Sequence, residues 1–312
     1  MTEPVQQEYF YSNGKLLLSG EYIVLYGAKA LALPLKLGQD LIVEHFPTNK
    51  QKTINWNSFE NNKSWFEMEA CFDDFSIKKT TDLKIANQLL KCLQKAHELN
   101  PDFLKEEQSI EVLTNLAFKK EWGFGSSSTL INNIAGWAKI DSYKLLNLTF
   151  GGSGYDIACA SANQPIFYQR NEDEISIEKA AFDPIFKDYL YFVYTGRKQN
   201  SSKSVVDFRE MDKPSSRLIS EISQISEIMA QTNSLDEFDR CIQSHENIMS
   251  SILRFKPIKQ ERFSDFDGEI KSLGAWGGDF MMASSKKDFS WIKNYFHTLG
   301  LNTIFKYSDL IK

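Results

Sequence analysis

The chain has 312 residues, which at ~150 residues per domain allows two domains or one large one, and a full core with no disulfide or metal staple. With 42% hydrophobic and 25% charged residues it is not a disordered chain, and its net charge of −5 speaks against nucleic acid or an anionic membrane as the main partner, while leaving room for a local basic phosphate pocket. Its four cysteines, Cys71, Cys92, Cys159 and Cys241, lie far apart with no CxxC or Cys/His cluster, and so predict buried thiols in a reducing compartment rather than disulfides or a zinc site.

In chain order, Met1 to Glu8 is polar and acidic, unlike a secretory leader. The apolar stretch Leu16 to Leu37 is broken by Glu21, Lys29 and Lys36, so no membrane span is expected and the protein reads as cytoplasmic. Lys15 to Leu18 and Tyr22 to Leu25 read as buried strands about a turn at Ser19-Gly20, and Asp40 to Phe46 as a further strand. Residues 47 to 66 resemble a hairpin with polar turns. Leu83 to Leu99 carries apolar residues at 86, 89, 90, 93 and 96, a helical stripe that ends before Asn100-Pro101. Ile110 to Leu113 predicts a strand, 123 to 128 a Gly/Ser loop, and Leu130 to Ala138 a helical pattern. The charged segment 170 to 188 is an irregular connection or a hairpin. Then come a strand at Tyr189 to Tyr194, amphipathic helices at Ser216 to Met229 and Leu235 to Leu253, and a glycine turn at 274 to 278. A strand at Phe280 to Ala283, a helix near 288 to 299 and a strand near 302 to 307 close the chain. The C-terminal order of strand, helices, strand, strand, helix, strand is ferredoxin-like.

Four segments could carry chemistry. In Gly123-Phe124-Gly125-Ser126-Ser127-Ser128, glycines let successive N–H groups point at one anion, the following helix adds its positive end, and the hydroxyls can donate to phosphate or ligate Mg²⁺. A flexible loop with a serine cap would read the same way, and the Gly-Lys-Ser/Thr of a Walker loop is absent. Gly14-Lys15 opens the first apolar strand and is followed by Gly20-Glu21-Tyr22; a lysine there is ordinarily a solvated gatekeeper. Asp156, after a glycine cluster, is either a helix cap or a carboxylate ready to accept a hydroxyl proton. Gly274 to Asp279 reads as a tight turn between strands. A polar loop with Arg197, Lys198, Ser201, Ser202 and Lys203 is either an anion clamp or a solvated face.

Taken together, in order and spacing, these pieces resemble the GHMP kinases, the superfamily of galactokinase, homoserine kinase, mevalonate kinase and phosphomevalonate kinase. Gly14-Lys15 through Gly20-Glu21-Tyr22 resembles the first motif, in its phosphomevalonate kinase form. Gly123 to Ser128 resembles the phosphate-binding motif. Gly154-Tyr155-Asp156-Ile157-Ala158 resembles the catalytic-aspartate segment, in the wording of the bacterial GYDIA-type subgroup. Gly274 to Asp279, with Gly277 and Gly278, resembles the third motif. The chain departs from the pattern at Lys119, where a proline is usual, at Ser128-Thr129, where Ala-Ala is usual, and at Trp276. It also has no acid in Leu145 to Phe150, where mevalonate kinases carry a Mg²⁺-holding glutamate.

The resemblance implies an α+β, two-domain GHMP kinase fold. An N-terminal ATP-binding domain would span 1–170, a C-terminal ferredoxin-like domain 185–312, and the active site would lie between them. It implies ATP and Mg²⁺ as cofactors. The ATP phosphates would lie on Gly123, Gly125, Ser126, Ser127 and Ser128, with Ser126 or Ser127 toward the metal. Asp156 would take the acceptor's proton and Lys15 would keep it ionised. Glu21, Tyr22, Arg197, Lys203, Gly277 and Gly278 would serve the acceptor. The Glu21-Tyr22 and Gly-Gly-Asp279 wording leans to phosphomevalonate. Mevalonate kinase, or a catalytically weak nucleotide-binding regulator, are the alternatives. The expected partner is a small-molecule acceptor, with neither nucleic acid nor membrane; a homodimer is an open option.

Overall fold

The computed structural model describes residues 6–47, 52–105, 108–171, 174–197, 208, 213–274, 276 and 279–312. By packing, the chain forms two compact units. The first takes residues 1–14, 37–120 and 124–161; the second takes 15–36, 121–123 and 162–312. The chain therefore passes from one unit to the other inside strand β1 (Gln6–Ser19) and strand β2 (Ala30–Pro47), and again at Gly123-Phe124.

In the first unit, β3 (Thr53–Glu60), β4 (Lys63–Cys71), β5 (Ile77–Thr80) and β6 (Gln108–Leu116) build a sheet in the order β5-β4-β3-β6-β2, to which β1 adds by pairing with β2. β3 and β6 run parallel, with Trp56 opposite Val112. Alternation sets the faces: Leu41, Val43, Ile54, Trp56, Phe66, Met68, Ile110 and Val112 point into one core, and Asn55, Asn57, Glu67, Glu69 and Glu111 fall between them. The helices α1 (Leu83–Leu99), α2 (Ser126–Ala138), α3 (Ser142–Thr149) and α4 (Tyr155–Ser161) contribute Leu89, Leu93, Ile131, Ile134, Leu146 and Ile157 to the same core. Helix α1 starts at Asp82, whose carboxylate accepts from the Lys84 and Ile85 N–H groups, and it occupies the predicted residues.

In the second unit, β9 (Leu190–Tyr194), β10 (Glu269–Ser272), β11 (Phe280–Ser284) and β12 (Ile304–Lys306) form an antiparallel sheet in the order β10-β11-β9-β12. With α5 (Ser216–Gln231), α6 (Leu235–Leu253), α7 (Ile258–Arg262) and α8 (Phe289–Thr298) between the strands, this is the expected ferredoxin-like order. A short helix, α9 (Tyr307–Leu310), follows. Tyr191, Val193, Ile270, Met281, Ile292 and Phe296 fill the core of this sheet. The N-terminal end of β2 pairs with β7 (Ile166–Asn171), which forms a hairpin with β8 (Glu174–Lys179) and so settles the reading of 170 to 188.

Three expectations need correction. Tyr22 to Leu25 is not a strand but enters a 3-10 turn at Ile23–Tyr26; positive φ at Gly20, Tyr22 and Gly27 breaks any extended run there. The first strand is longer than its apolar part, because the polar residues from Gln6 onward still pair with β2. The hairpin expected over 47 to 66 is shifted to β3 and β4, turning at Asn61-Asn62, both left-handed. All four cysteines are free and buried.

Candidate functional site

In the first unit, the Gly/Ser loop becomes the N-terminus of α2. Gly125 sits at φ 91°, ψ 41° as its cap, a conformation glycine supplies without strain, and no side chain caps the helix. The hydroxyls of Ser126 and Ser127 have no partner among the described residues. The Ser128 hydroxyl donates to the Gly125 carbonyl at 2.8 Å and Ser128 is 2% exposed, so its side chain is turned inward. Thr129 braces the turn from below, its Oγ1 donating to Gln39 Oε1 at 2.7 Å. The result is an uncapped 13-residue helix whose first N–H groups, joined by two hydroxyls, suit an anion.

Helix α4 packs on α2 in the same unit. Asp156 is in its first turn, half-buried, with Oδ1 3.2 Å from the Ile157 N–H. Asn132 Nδ2 ties the two helices by donating to Ser161 Oγ at 3.2 Å. Among the described residues no group of three or more His, Cys, Asp or Glu is placed for a metal.

In the second unit, Lys15 and Asp279 converge on Gly123. The Lys15 ammonium donates to the Gly123 carbonyl oxygen at 2.8 Å. On its other side Gly123 lies against the Asp279 carboxylate so closely that a Cβ would come within 2.5 Å of Oδ2, and at φ 67° no other residue fits easily. Asp279 is held by its backbone: its N–H donates to the Arg197 carbonyl at 2.7 Å, and its own carbonyl accepts from Thr195 N–H at 2.8 Å. Arg197 thus sits beside the third glycine motif. Burial, then the positive charge of Arg197, lowers the pKa of Arg262 on α7, so two cations stand near each other here. Lys198, Ser201, Ser202, Lys203, Gly277 and Gly278 lie outside the described residues.

Glu21 and Tyr22 point inward. Tyr22 stacks on Phe208 with ring centroids 4.8 Å apart, and Trp276 joins the same cluster. Glu21, 1% exposed, has Oε1 2.6 Å from Lys271 Nζ and Oε2 3.0 Å from His245 Nε2, which also receives the Gly20 N–H at 3.2 Å. Burial alone would raise the Glu21 carboxyl, but Lys271 and then His245 outweigh it and hold it below its usual range. Burial, and then Lys271, keeps His245 below its ordinary value. Glu246 completes the cluster, its Oε1 accepting the Ser272 N–H at 3.2 Å and lying 3.9 Å from Lys271. Burial raises its pKa to about 8 against the pull of Lys271. Sequence reasoning missed Lys271, His245 and Glu246. In the sequence they stand among the charged residues of an amphipathic helix and a short strand, and nothing there marks them as buried.

The folds and motif positions define an α+β protein with an anion-ready helix N-terminus in one unit and a ferredoxin-like sheet in the other. No family model and no curated protein sequence matches the chain. Solved structures do. The L. major mevalonate kinase in complex with R-mevalonate is similar over 98% of each chain, at 17% identity and a TM-score of 0.67. The Streptococcus pneumoniae phosphomevalonate kinase in complex with phosphomevalonate and AMPPNP is similar over 96% of this chain and 99% of its own, at 16% identity and TM-score 0.66. The Lactococcus lactis galactokinase complexed with galactose is similar over 97% and 93%, at 11% identity and TM-score 0.67. These are GHMP kinases, and the chain has their fold along nearly its whole length.

Proposed function

We propose that the protein is an ATP-dependent GHMP-type kinase of the mevalonate pathway, with phosphomevalonate as its acceptor. The observation that carries the kinase reading is the uncapped N-terminus of α2 with the unpartnered Ser126 and Ser127 hydroxyls. The N–H groups of residues 126 to 128 would hold nucleotide phosphates, and the two hydroxyls would reach Mg²⁺, which when bound neutralises phosphate charge. Lys15, fixed by the Gly123 carbonyl, supplies positive charge. Asp156 accepts or orients the proton of the attacking oxygen. Glu21 and Tyr22 act by fixing the turn after the Lys15 strand, since both side chains face inward. On this reading residues 1–170 and 185–312 are the two functional domains, and the protein works in the cytoplasm. The 277–278 glycines and Lys203 complete the acceptor side.

Arg197 beside Asp279, with Arg262 near it, supports an acceptor that carries a phosphate: a phosphomonoester brings about two negative charges near neutral pH and needs more than one cation. The test is ADP release by the purified protein across a panel of hydroxy and phosphate acceptors. Turnover of phosphomevalonate supports the whole reading. Turnover of mevalonate alone leaves the kinase and removes the acceptor. Nucleotide binding without turnover of any acceptor makes the protein a regulator.

A further inference from the structure

Trp122 ends the short 3-10 turn Lys120–Trp122, directly before Gly123, and nothing in the proposed kinase chemistry uses it. Its half-buried ring sits in an aromatic cage on the sheet of the second unit. The ring centroids lie 5.4 Å from Phe305 and 6.1 Å from Phe280, both edge-to-face, and 6.4 Å from Tyr194. The cage walls also touch one another, Tyr194 to Phe280 at 5.4 Å and Phe280 to Phe305 at 6.1 Å. Strand alternation builds this cage. Val193 on β9 and Met281 on β11 face the core that α8 covers, so Tyr194 and Phe280, which pair with each other, fall on the opposite face. Phe305 on β12, opposite Phe192, joins them there.

On the far side of Gly123, Phe124 is fully buried in the first unit, edge-on to Phe118 at 5.6 Å. The chain is thus pinned by a ring on each side of Gly123. Between and after these pins, Gly123 and Gly125 hold φ 67° and 91°, and a glycine backbone left unpinned ranges widely. Helix α2 starts at Ser126, so what holds Gly123 fixes the chain three residues ahead of the first α2 N–H groups. We propose that Trp122 is a positioning residue for the nucleotide: its ring, seated on Tyr194, Phe280 and Phe305, fixes Gly123 and through it the anion-binding start of α2. The inference rests on the kinase reading, because it needs nucleotide phosphates at that helix end. The acceptor side does not share the dependence. Thr195, Arg197 and Asp279 are joined by their own backbone hydrogen bonds, beside the pairing of β9 with β11.

The test is calorimetric titration of the full chain with AMPPNP and magnesium chloride. Trp122→Ala should weaken binding by about tenfold or more, since a small misplacement of a binding group is costly. Trp122→Phe keeps a ring for the cage and should stay within about threefold of wild type. In turnover, Trp122→Ala should raise the KM for ATP and leave that for the acceptor unchanged; a merely structural tryptophan would lower the melting temperature without that split. The proposal is overturned by Trp122→Ala that binds AMPPNP as wild type does, by Trp122→Phe as weak as Trp122→Ala, or by an acceptor KM that rises as much as that for ATP. Should Trp122→Ala fail to fold, Phe305→Leu opens the cage from β12 instead, and wild-type affinity in that variant overturns the proposal. Wild-type protein that binds no AMPPNP overturns the kinase reading and this inference with it, whereas wild-type binding with unchanged variants overturns the inference alone.

Discussion

Lys271 is fully buried, with Nζ 2.6 Å from Glu21 Oε1 and 3.0 Å from the Ser272 carbonyl. Lys271→Met deletes the charge while keeping most of the stem, so it isolates the ion pair. Glu21 is then left uncompensated at 1% exposure, and removing one partner of a buried pair costs about 3–5 kcal/mol. At roughly 2–4 °C per kcal/mol for larger chains, the melting temperature should fall by roughly 6–20 °C. The pH dependence identifies the cause. Without Lys271, burial drives the Glu21 carboxyl up, so the deficit should shrink as the pH falls and Glu21 takes a proton. Glu21→Leu combined with Lys271→Met leaves no charge to bury and should recover most of the loss. Urea unfolding gives the free energies, and hydrogen exchange at β10 and α6 locates the effect. A single variant within about 1 kcal/mol of wild type at neutral pH would refute the reasoning, since a charge that costs so little is not held away from water. So would a double variant as unstable as the single.

Asp156→Asn keeps the side chain's shape and removes its basicity; turnover should fall ~10²-fold or more, with nucleotide affinity by calorimetry unchanged. Gly125→Val places a β-branched residue at φ 91° where the α2 N–H groups must stay open, so nucleotide affinity should be lost while circular dichroism shows the fold retained. Arg197→Met should raise the KM for phosphomevalonate strongly and leave that for ATP alone; a phosphomevalonate KM equal to that of wild type would place Arg197 outside the acceptor site. Stability should fall with rising pH between 6.5 and 8. In that window the unfolded Glu246 has released its proton and the folded one has not, so the slope is about 1.4 kcal/mol per pH unit. His245, whose folded value is lowered, works in the opposite direction mainly below 6.5, and Asp239, raised to about 6, adds to the fall only at the lower end of the window. Urea titrations of wild type and Glu246→Gln check this: the slope between pH 7 and 8 should flatten in the variant.

The sequence carried the periodic elements well because burial imposes the period. Helix α6 occupies Leu235–Leu253 as predicted, since Phe238, Ile242 and Met249 recur on one face. The ferredoxin-like order followed from element order alone. What was illegible was set by non-local contact. The polar start of β1 is a strand because β2 pairs with it, not because of its own pattern. Lys271 alternates with Ile270 as an outward residue would, yet it is buried because Glu21 lies 250 positions earlier in the chain and 2.6 Å away. In the candidate site, Gly125, Ser126 and Ser127 were legible because backbone geometry needs those residue types. Ser128 and Glu21 were legible as motif members, but not as groups whose side chains turn inward.

Two motif positions hold conformations their residue types resist, and this says where the structure is under constraint. Tyr22 sits at φ 60° and Asp279 at φ 47°, neither being glycine. Each such residue costs about 1–3 kcal/mol and persists only where its surroundings over-determine it. At Tyr22 the surroundings are the stack on Phe208 and, one residue earlier, the Lys271 pair to Glu21. At Asp279 they are the two backbone hydrogen bonds to Thr195 and Arg197. The strain buys position: Asp279's carboxylate is pressed against Gly123, and the turn through Tyr22 ends the strand that carries Lys15. Both strained residues therefore bear on the two groups that meet at the Gly123 carbonyl and Cα. That convergence of a lysine and a strained aspartate on one glycine is independent of any motif wording.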